Sequence, residues 1–233
     1  ATCEQDGVRT YTCDICHTTK SEPIKAIGHS YGAWTTTKEA TVSSKAEHKR
    51  ICSTCGKEEI TTYGEKLRPT ISTNATSLKL KKKQTTKKFT VTGLAKGDYI
   101  TSWTSSNKKI VTVTGNQNGT CKIKAGSKTG KATITIKLAG GLTKQIKVTV
   151  QKKAVTCSKI KNVPKTINLK KKQTYQLKPM IEPITCTDKA KYKSSNKKIA
   201  KVTSGKITAV KKGKTKVTVV VGKKKFVCTV NVR

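Results

Sequence analysis

Apolar and polar residues alternate along most of the chain beyond residue 75, which is the pattern of β-strands with one buried face. The alternation predicts seven short strands, near residues 76–80, 87–92, 98–104, 109–113, 120–125, 131–138 and 143–150. It then predicts seven more, near residues 165–169, 174–180, 189–193, 199–203, 206–210, 214–221 and 224–232. Thr and Val are frequent, glycines separate the runs, and we find no helical periodicity. Seven short strands at this spacing predict an antiparallel β-sandwich.

The two sets of strands belong to two copies of one unit. The phrase SSNKKI occurs at Ser105–Ile110 and again at Ser194–Ile199, and LKKKQT occurs at Leu80–Thr85 and again at Leu169–Thr174. Both phrases recur after 89 positions. A repeat of this length is a whole domain, because solenoid repeats are shorter. We therefore expect two tandem sandwiches, with domain bounds at 69–152 and 153–233.

The order of motifs in each copy resembles a known family. LKKKQT is followed by W-x-SSN-x-x-I, a hairpin and GKATITI, and this order resembles the group 2 bacterial immunoglobulin-like domains over about residues 69–233. The resemblance implies Ig-like β-sandwiches that serve as adhesive or spacing modules in extracellular and surface proteins of bacteria. The second copy departs from the first in having Tyr192 where the first has Trp103. We expect each sandwich to bury its aromatic residue at this position.

Residues 1–68 have a different composition and contain a shorter repeat, with copies at 1–39 and 40–68. ATCEQDGVRTYTCDIC aligns with ATVSSKAEHKRICSTC, so that both copies keep a C-x-x-C pair. The segment GHSYGAW follows the first pair. The pattern ATC…C-x-x-C…GH-x-Y-x-x-W resembles repeats of large surface proteins from Gram-positive bacteria. That resemblance implies a location at the cell surface and gives no information about activity. We expect a small Cys-rich β-hairpin segment here, of zinc-knuckle type.

A C-x-x-C pair places two thiolates at the spacing that tetrahedral Zn²⁺ requires, so we expect a structural zinc site in this segment. The preferred set is a closed site made of Cys3, Cys13, Cys16 and His29. The alternative set is Cys13, Cys16, Cys52 and Cys55. The second copy lacks equivalents of both Cys3 and His29, as expected if those two residues serve one site. Disulfides in a secreted chain remain a third possibility.

The other four cysteines lie in the sandwich copies. Cys121 and Cys228 occupy inward positions of predicted strands, so we expect them to be small core residues. Cys157 and Cys186 lie in loops at the same end of the second sandwich. We expect a disulfide between them, which would close a loop of about 30 residues and stabilise the fold by about 3–4 kcal/mol.

Positive charge is concentrated in the sandwich copies. The formal net charge is +38, yet residues 1–68 hold 10 Lys/Arg against 9 Asp/Glu. Residues 69–233 hold 40 Lys/Arg against three acids. Alternate connections of a seven-strand sandwich lie at one end, and these connections carry most of the lysine clusters. The predicted polyanion-binding lysines are Lys81, Lys82, Lys83, Lys108, Lys109, Lys170, Lys171, Lys172, Lys197, Lys198, Lys211 and Lys212.

This charge exceeds what solubility requires, since a net charge of about 2–8 suffices for a small domain. We therefore expect an anionic partner, such as teichoic acid or another anionic glycan of the cell surface. Residues 69–233 contain 39 Lys and one Arg, and lysine lacks the planar fork that reads base edges. Few aromatic residues are available for base stacking. We therefore exclude sequence-specific nucleic-acid binding.

No pattern in the sequence predicts catalysis, because residues 69–233 have three carboxylates and no histidine, and no nucleophile or phosphate-loop motif is present. No apolar run approaches the length of a membrane span. We expect a non-enzymatic surface or secreted module, a monomeric fragment of a larger protein, that binds anionic polymer. The alternatives are a passive stalk that presents another domain and a carbohydrate-binding module.

Overall fold

The fold consists of β-strands without helices, as seen in a computed structural model that describes all 233 residues. The first five strands lie in the Cys-rich segment: β1 (Gly7–Thr12), β2 (Thr19–Ile24), β3 (Thr35–Lys38), β4 (Ala46–Ile51) and β5 (Glu58–Tyr63). The chain forms two compact units, one of Ala1–Pro69 with Ala95–Asp98 and one of Thr70–Leu94 with Tyr99–Arg233.

The first of these units contains two small antiparallel sheets. Strands β1 and β2 form a two-stranded hairpin, whereas β3, β4 and β5 form a three-stranded sheet in that order. Among residues 1–69 only two are buried, Cys3 at 6% and Cys52 at 1% relative exposure. This segment therefore has no hydrophobic core of its own.

The second unit begins with a β-sandwich. Its strands are β6 (Ser72–Thr73), β7 (Ser77–Lys81), β8 (Thr85–Thr86), β9 (Val91–Thr92), β10 (Ile100–Ser105), β11 (Val111–Gly115), β12 (Cys121–Ala125), β13 (Gly130–Leu138) and β14 (Thr143–Gln151). One sheet has the order β10-β13-β14-β7 with β7 parallel to β14, and the other has the order β11-β12-β8. On β13 the buried residues Ile134, Ile136 and Leu138 alternate with more exposed ones, as the period-two pattern predicts.

A second sandwich follows with the same architecture. Its strands are β15 (Lys159–Lys161), β16 (Thr166–Leu169), β17 (Thr174–Gln176), β18 (Met180–Glu182), β19 (Ala190–Ser194), β20 (Ala200–Thr203), β21 (Lys206–Ala209), β22 (Gly213–Val221) and β23 (Lys224–Val232). The sheets have the orders β16-β23-β22-β19 and β17-β21-β20. Val217 faces Cys228 across β22 and β23, as Ile134 faces Ile146 in the first sandwich. Each sandwich therefore buries its own apolar cluster.

These observations confirm the predicted fold class, namely two tandem Ig-like β-sandwiches after a small Cys-rich segment. Cys121 and Cys228 are buried in the two cores, as expected. The domain bounds at 69–152 and 153–233, and the division of 1–68 into two copies, stay predictions. The structure contains no helix with the length and hydrophobicity that a membrane crossing requires.

The position of the aromatic residues differs from the expectation. Trp103 and Tyr192 are only half-buried, and Phe89 is the fully buried aromatic of the first sandwich. Phe89 and Trp103 form a T-shaped contact with ring centroids 6.4 Å apart and an interplanar angle of 86°. The indole N–H of Trp103 donates to the carbonyl of Asn116 at 3.3 Å. Trp103 remains at the margin of the core because its polar edge needs this partner.

The predicted second strand of each copy is also different. Residues 87–92 and 174–180 were each expected to form one continuous strand, but only part of each region is strand. Each region instead lies between or across two short strands with different partners, β8 and β9 in the first sandwich and β17 and β18 in the second. In the first sandwich β8 pairs with β12, whereas β9 pairs with β6. The chain must leave one sheet and enter another between these strands, and alternation along the sequence does not reveal such a crossing.

We predict that truncating the first core destabilises the first sandwich. Ile134 is fully buried, so Ile134→Ala should lower the free energy of unfolding by about 2–5 kcal/mol. Lys137→Ala, three positions along the same strand and exposed, should change it by less than about 0.5 kcal/mol. Urea unfolding followed by Trp103 fluorescence in a Trp34→Phe background measures both. Equal effects of the two substitutions would contradict the observed core.

Candidate functional site

The candidate site begins at the turn between β4 and β5, which carries the second C-x-x-C pair. The amide of Cys52 donates to the carbonyl of Lys57 at 2.9 Å, and the amide of Gly56 donates to the carbonyl of Cys52 at 2.9 Å. Gly56 has a φ of 73°, a left-handed conformation that glycine adopts without strain. These bonds close a tight turn that presents both sulfur atoms on one side.

Four potential metal ligands meet at this turn. The Sγ atoms of Cys3, Cys52 and Cys55 and one ring nitrogen of His29 all lie within 4.8 Å of one another. The Sγ of Cys3 is 4.0 Å from that of Cys52, and the Sγ of Cys55 is 3.3 Å from Nδ1 of His29. This arrangement of three sulfur donors and one nitrogen donor could hold a metal ion.

A carboxylate orients the histidine of this cluster. Nε2 of His29 is 3.0 Å from Oε1 of Glu4, which leaves Nδ1 facing the sulfur atoms. The ammonium of Lys57 contacts the same carboxylate oxygen. The pKa of Glu4 is lowered by these two partners, with Lys57 as the larger cause. A carboxylate behind a histidine is the usual second layer of a metal site, because it fixes the ring orientation and the tautomer.

The cysteines of the cluster differ in acidity. Burial acts to raise the pKa of Cys52, but hydrogen bonds from the Cys55 amide and from the His29 ring outweigh it and lower the pKa to about 5. Burial, with hydrogen bonds to Cys55 and Cys52, raises the pKa of Cys3 to about 11. The pKa of His29 is raised by its hydrogen bonds to Cys52 and Glu4. A cation bound by these donors would compete with the protons of the cysteines.

The ligand set combines the two predicted sets. Cys3 and His29 come from the preferred set and Cys52 and Cys55 from the alternative one, so that neither set assembles as predicted. The joint loss of Cys3 and His29 equivalents from the second copy predicted that these two residues act together, and in the structure both lie in this cluster. The pattern did not reveal which C-x-x-C pair they join, because in the structure the first copy contributes these two residues to the C-x-x-C pair of the second copy.

The first C-x-x-C pair, Cys13 and Cys16, lies outside this cluster and is exposed. The pKa of Cys16 is lowered to about 7, chiefly because Thr18 hydrogen bonds to its sulfur at 3.0 Å. The other predicted pair, Cys157 and Cys186, is buried, and both residues are free thiols in the structure. Burial raises the pKa of each. The disulfide between them is not formed here and stays a prediction.

The predicted lysine turns of the first sandwich meet at one end. The amide of Lys83 donates to the carbonyl of Gly126 at 3.0 Å, and the amide of Gly126 donates to the carbonyl of Ile110, next to Lys109, at 2.8 Å. The amide of Lys82 donates to the carbonyl of Gln151 on the last strand. We call the cluster Lys81, Lys82, Lys83, Lys108 and Lys109 the first lysine pole. Gln84, beside it, donates to the carbonyl of Thr185 in the second sandwich.

The second sandwich repeats this arrangement. The amide of Lys172 donates to the carbonyl of Ala209, and the amide of Lys211 donates to the carbonyl of Ile199, which follows Lys198. The second lysine pole consists of Lys170, Lys171, Lys172, Lys197, Lys198, Lys211 and Lys212. All of these side chains are exposed, and none forms an ion pair with a carboxylate. Lysines from three separate turns are therefore concentrated at one end of the domain.

Comparison with known families gives a match for the second sandwich. Residues 154–232 match the family of bacterial Ig-like domains, group 2. The first sandwich has the same order of strands in its sheets. The search of curated proteins found no match.

Several solved structures are similar to this chain at low sequence identity. Domains 5–6 of the S-layer protein SbsC share 19% identity with a TM-score of 0.36, covering 70% of this chain and 96% of that one. Domains 4 and 5 of SbsC share 18% identity with a TM-score of 0.34, covering 85% and 98%. Invasin, a bacterial integrin-binding protein, shares 14% identity with a TM-score of 0.27, covering 97% and 51%.

We predict that metal binding requires the four clustered residues and neither Cys13 nor Cys16. The purified chain should hold one equivalent of metal, and Cys52→Ser should abolish it because one sulfur donor is lost from a closed set of four. Cys13→Ser is the matched control, since Cys13 has the position in the first copy that Cys52 has in the second, and it should leave the equivalent in place. Elemental analysis of untagged protein measures both. Loss of metal from both variants would favour the alternative set.

Proposed function

We propose that this chain is a non-enzymatic module of a bacterial surface or secreted protein, which acts as a spacer and as an adhesive domain. Its lysine poles bind anionic polymers of the cell surface. The Cys-rich segment is a small domain held together by a structural zinc ion. The observation that carries the adhesive function is the meeting of lysine-bearing turns at one end of each sandwich, with pole lysines from two turns in the first and from three in the second.

The charge of the second lysine pole supports a polyanionic partner. Its seven ammonium groups come from three turns joined by backbone hydrogen bonds, so their mutual repulsion is built into the fold. The second sandwich contains only one ion pair, between Lys161 and Glu182, and it involves none of these seven residues. A polymer with regularly spaced phosphate or carboxylate groups would relieve the repulsion, because it brings many negative charges to one surface.

The type of charge favours a flexible polymer over a single small anion. Lysine ammonium groups are hydrated point charges without fixed geometry, so they suit ligands whose anionic groups can adjust their positions. The poles lie on turns that project into solvent, and eleven of the twelve lysines are exposed. Teichoic acid, a polyphosphate of the Gram-positive cell wall, has this chemistry.

The geometry of the Cys-rich cluster supports zinc. Zn–S bonds of about 2.3 Å and Zn–N bonds of about 2.0–2.1 Å place the donors of a tetrahedral site about 3.4–3.8 Å apart. The observed separations of 3.3 and 4.0 Å lie on either side of this range. Three cysteines and one histidine form a closed ligand set, which is typical of structural rather than catalytic zinc.

The lack of a hydrophobic core explains why such an ion is needed. Only Cys3 and Cys52 are buried among residues 1–69, and both are members of the cluster. Small domains that cannot bury enough apolar surface depend on metals or disulfides for stability. Zinc would therefore hold the two copies of the Cys-rich repeat together.

We predict that the second lysine pole binds teichoic acid in a salt-dependent manner. Replacing Lys170, Lys171 and Lys172 by Gln should weaken binding to purified Gram-positive walls and lower the slope of log K against log salt by about 2, if each lysine contributes as it does on a single-stranded polyphosphate. The matched control replaces Lys223, Lys224 and Lys225, an equal charge at the opposite hairpin of the same sandwich, and should have a smaller effect. Sedimentation with walls across a salt series measures both.

Walls stripped of teichoic acid provide the second arm of this experiment. Retention that persists on stripped walls and at high salt would favour the carbohydrate-binding alternative. Absence of retention even at low salt would leave the passive stalk. Equal effects of the two triple substitutions would show that total charge, and not the pole, is responsible.

We also predict that chelation unfolds the Cys-rich segment selectively. Removing zinc should expose the amides of β4 and β5 to hydrogen exchange, because the ion joins β4 to residues from the preceding copy. The amides of β13 and β22 should keep their protection, since the apolar cores remain. Mass spectrometry of exchange with and without chelator measures both regions. Unchanged exchange in β4 would contradict a structural role for the metal.

A further inference from the structure

The two hairpins of the Cys-rich segment are built alike. The pairing registers of β1 with β2 and of β4 with β5 are identical after a shift of 39, for example Thr12 with Thr19 and Ile51 with Glu58. The hydrogen bonds that close the second C-x-x-C turn also recur in the first, where the amide of Cys13 donates to the carbonyl of Thr18 at 2.9 Å. His17 has a φ of 55° at the position of Gly56. The first turn is therefore shaped like the second.

The second hairpin is completed by residues from the first copy. Strand β3, at residues 35–38, adds to the edge of β4, and Tyr31 forms a bridge with Cys52. The guanidinium of Arg50 lies over the ring of Tyr31 at 4.5 Å and over the ring of Trp34 at 4.6 Å. We call Cys3, His29, Tyr31, Trp34 and strand β3 the donor segment. It covers β4 and completes the proposed metal site of the second hairpin.

In the first hairpin, the surface of β1 that corresponds to the covered surface of β4 is exposed. Strand β1 pairs only with β2, so that the edge corresponding to the β3 side of β4 is open. Tyr11 occupies the position of Arg50 and is 46% exposed, and Val8 is 68% exposed. Every residue of β1 except Gly7 is exposed, whereas every residue of β4 except Ile51 is at least half-buried. Cys13 and Cys16 thus form half of a site whose other half is known from the second hairpin.

We propose that Cys13 and Cys16 form an acceptor half-site for zinc, which the donor segment of another repeat of this type completes when that repeat is joined ahead of Ala1. The incoming repeat supplies a cysteine and a histidine at the positions that Cys3 and His29 have in this one. Its equivalent of β3 pairs with the open edge of β1. Its equivalents of Tyr31 and Trp34 pack on Tyr11, an aromatic contact in place of the cation–π contact of Arg50.

The donors must come from a joined repeat and not from a second copy of this chain. In each molecule the donor segment already contacts Cys52 and Cys55 of the same molecule. If it bound to a second molecule, the metal site of its own molecule would lose Cys3 and His29. Joining in the same chain also makes the encounter intramolecular and raises the effective concentration of the donor.

The array can extend in one direction only. The second copy has Val42 in place of Cys3 and Arg68 in place of His29, so it accepts a donor segment but cannot act as one. The copy next to the sandwiches is therefore the last of an array whose zinc ions each bridge consecutive repeats. This inference rests on the proposed zinc site, and it assigns to the first pair a ligand set that the chain itself does not provide.

The test adds one repeat. A chain with a second copy of residues 1–39 joined directly before Ala1 keeps the natural spacing of 39, and it should bind two zinc ions where the parent binds one. Elemental analysis and native mass spectrometry measure the stoichiometry. Alkylation of Cys13 and Cys16 by iodoacetamide gives an independent readout and should slow at least tenfold in the extended chain.

Two variants serve as controls. In the first, the added copy carries Cys3→Val and His29→Arg, the residues that the second copy has naturally, and the chain should return to one zinc ion and fast alkylation. In the second, the extended chain carries Cys13→Ser and should also bind one. These variants separate completion of the half-site from zinc held by the C-x-x-C pair of the added copy.

The outcomes distinguish this inference from the proposed zinc site. A parent chain without zinc would overturn both. One zinc ion in the parent and one in the extended chain would overturn the inference and leave the proposed site intact. Two zinc ions in the parent, or a disulfide between Cys13 and Cys16 in the extended chain, would also overturn it.

Discussion

The near absence of buried side chains among the first 69 residues is the constraint from which the rest of this structure follows. Only Cys3 and Cys52 are buried there, and both belong to one cluster of metal-binding side chains. A segment of this size cannot offset its conformational entropy by burial alone. Its order therefore depends on a few strong contacts between successive repeats, and the same contacts determine which residues form the site.

The sandwiches do not have this constraint, because each buries an apolar cluster. Each concentrates its apolar residues between two sheets and leaves every turn free to be polar, so that lysines accumulate where the fold tolerates them. Because alternate connections of a sandwich lie at one end, charge placed in three turns becomes charge at one surface. The shared architecture of the two sandwiches thus produces two lysine poles.

The Cys-rich cluster and the lysine poles differ in their electrostatic surroundings. The Cys-rich cluster brings residues of the first copy to the turn after β4, whereas the lysine poles face solvent. The Cys-rich cluster has the acid Glu4 and the cation Lys57 beside it, so that charges of both signs are present at the site. The lysines of the second pole form no ion pair with a carboxylate. This difference is why we assign structure to the first and binding to the second.

The sequence alone determined the fold class, the two-fold repetition and the meeting of the lysine turns, because all three depend on local periodicity or on the parity of connections. It also indicated that Cys3 and His29 act together. Only the tertiary structure decided that they join Cys52 and Cys55, and that Phe89 takes the core position expected of Trp103. Both depend on contacts between residues far apart in the chain, where several pairings satisfy the local pattern equally well and the packing of particular side chains selects one.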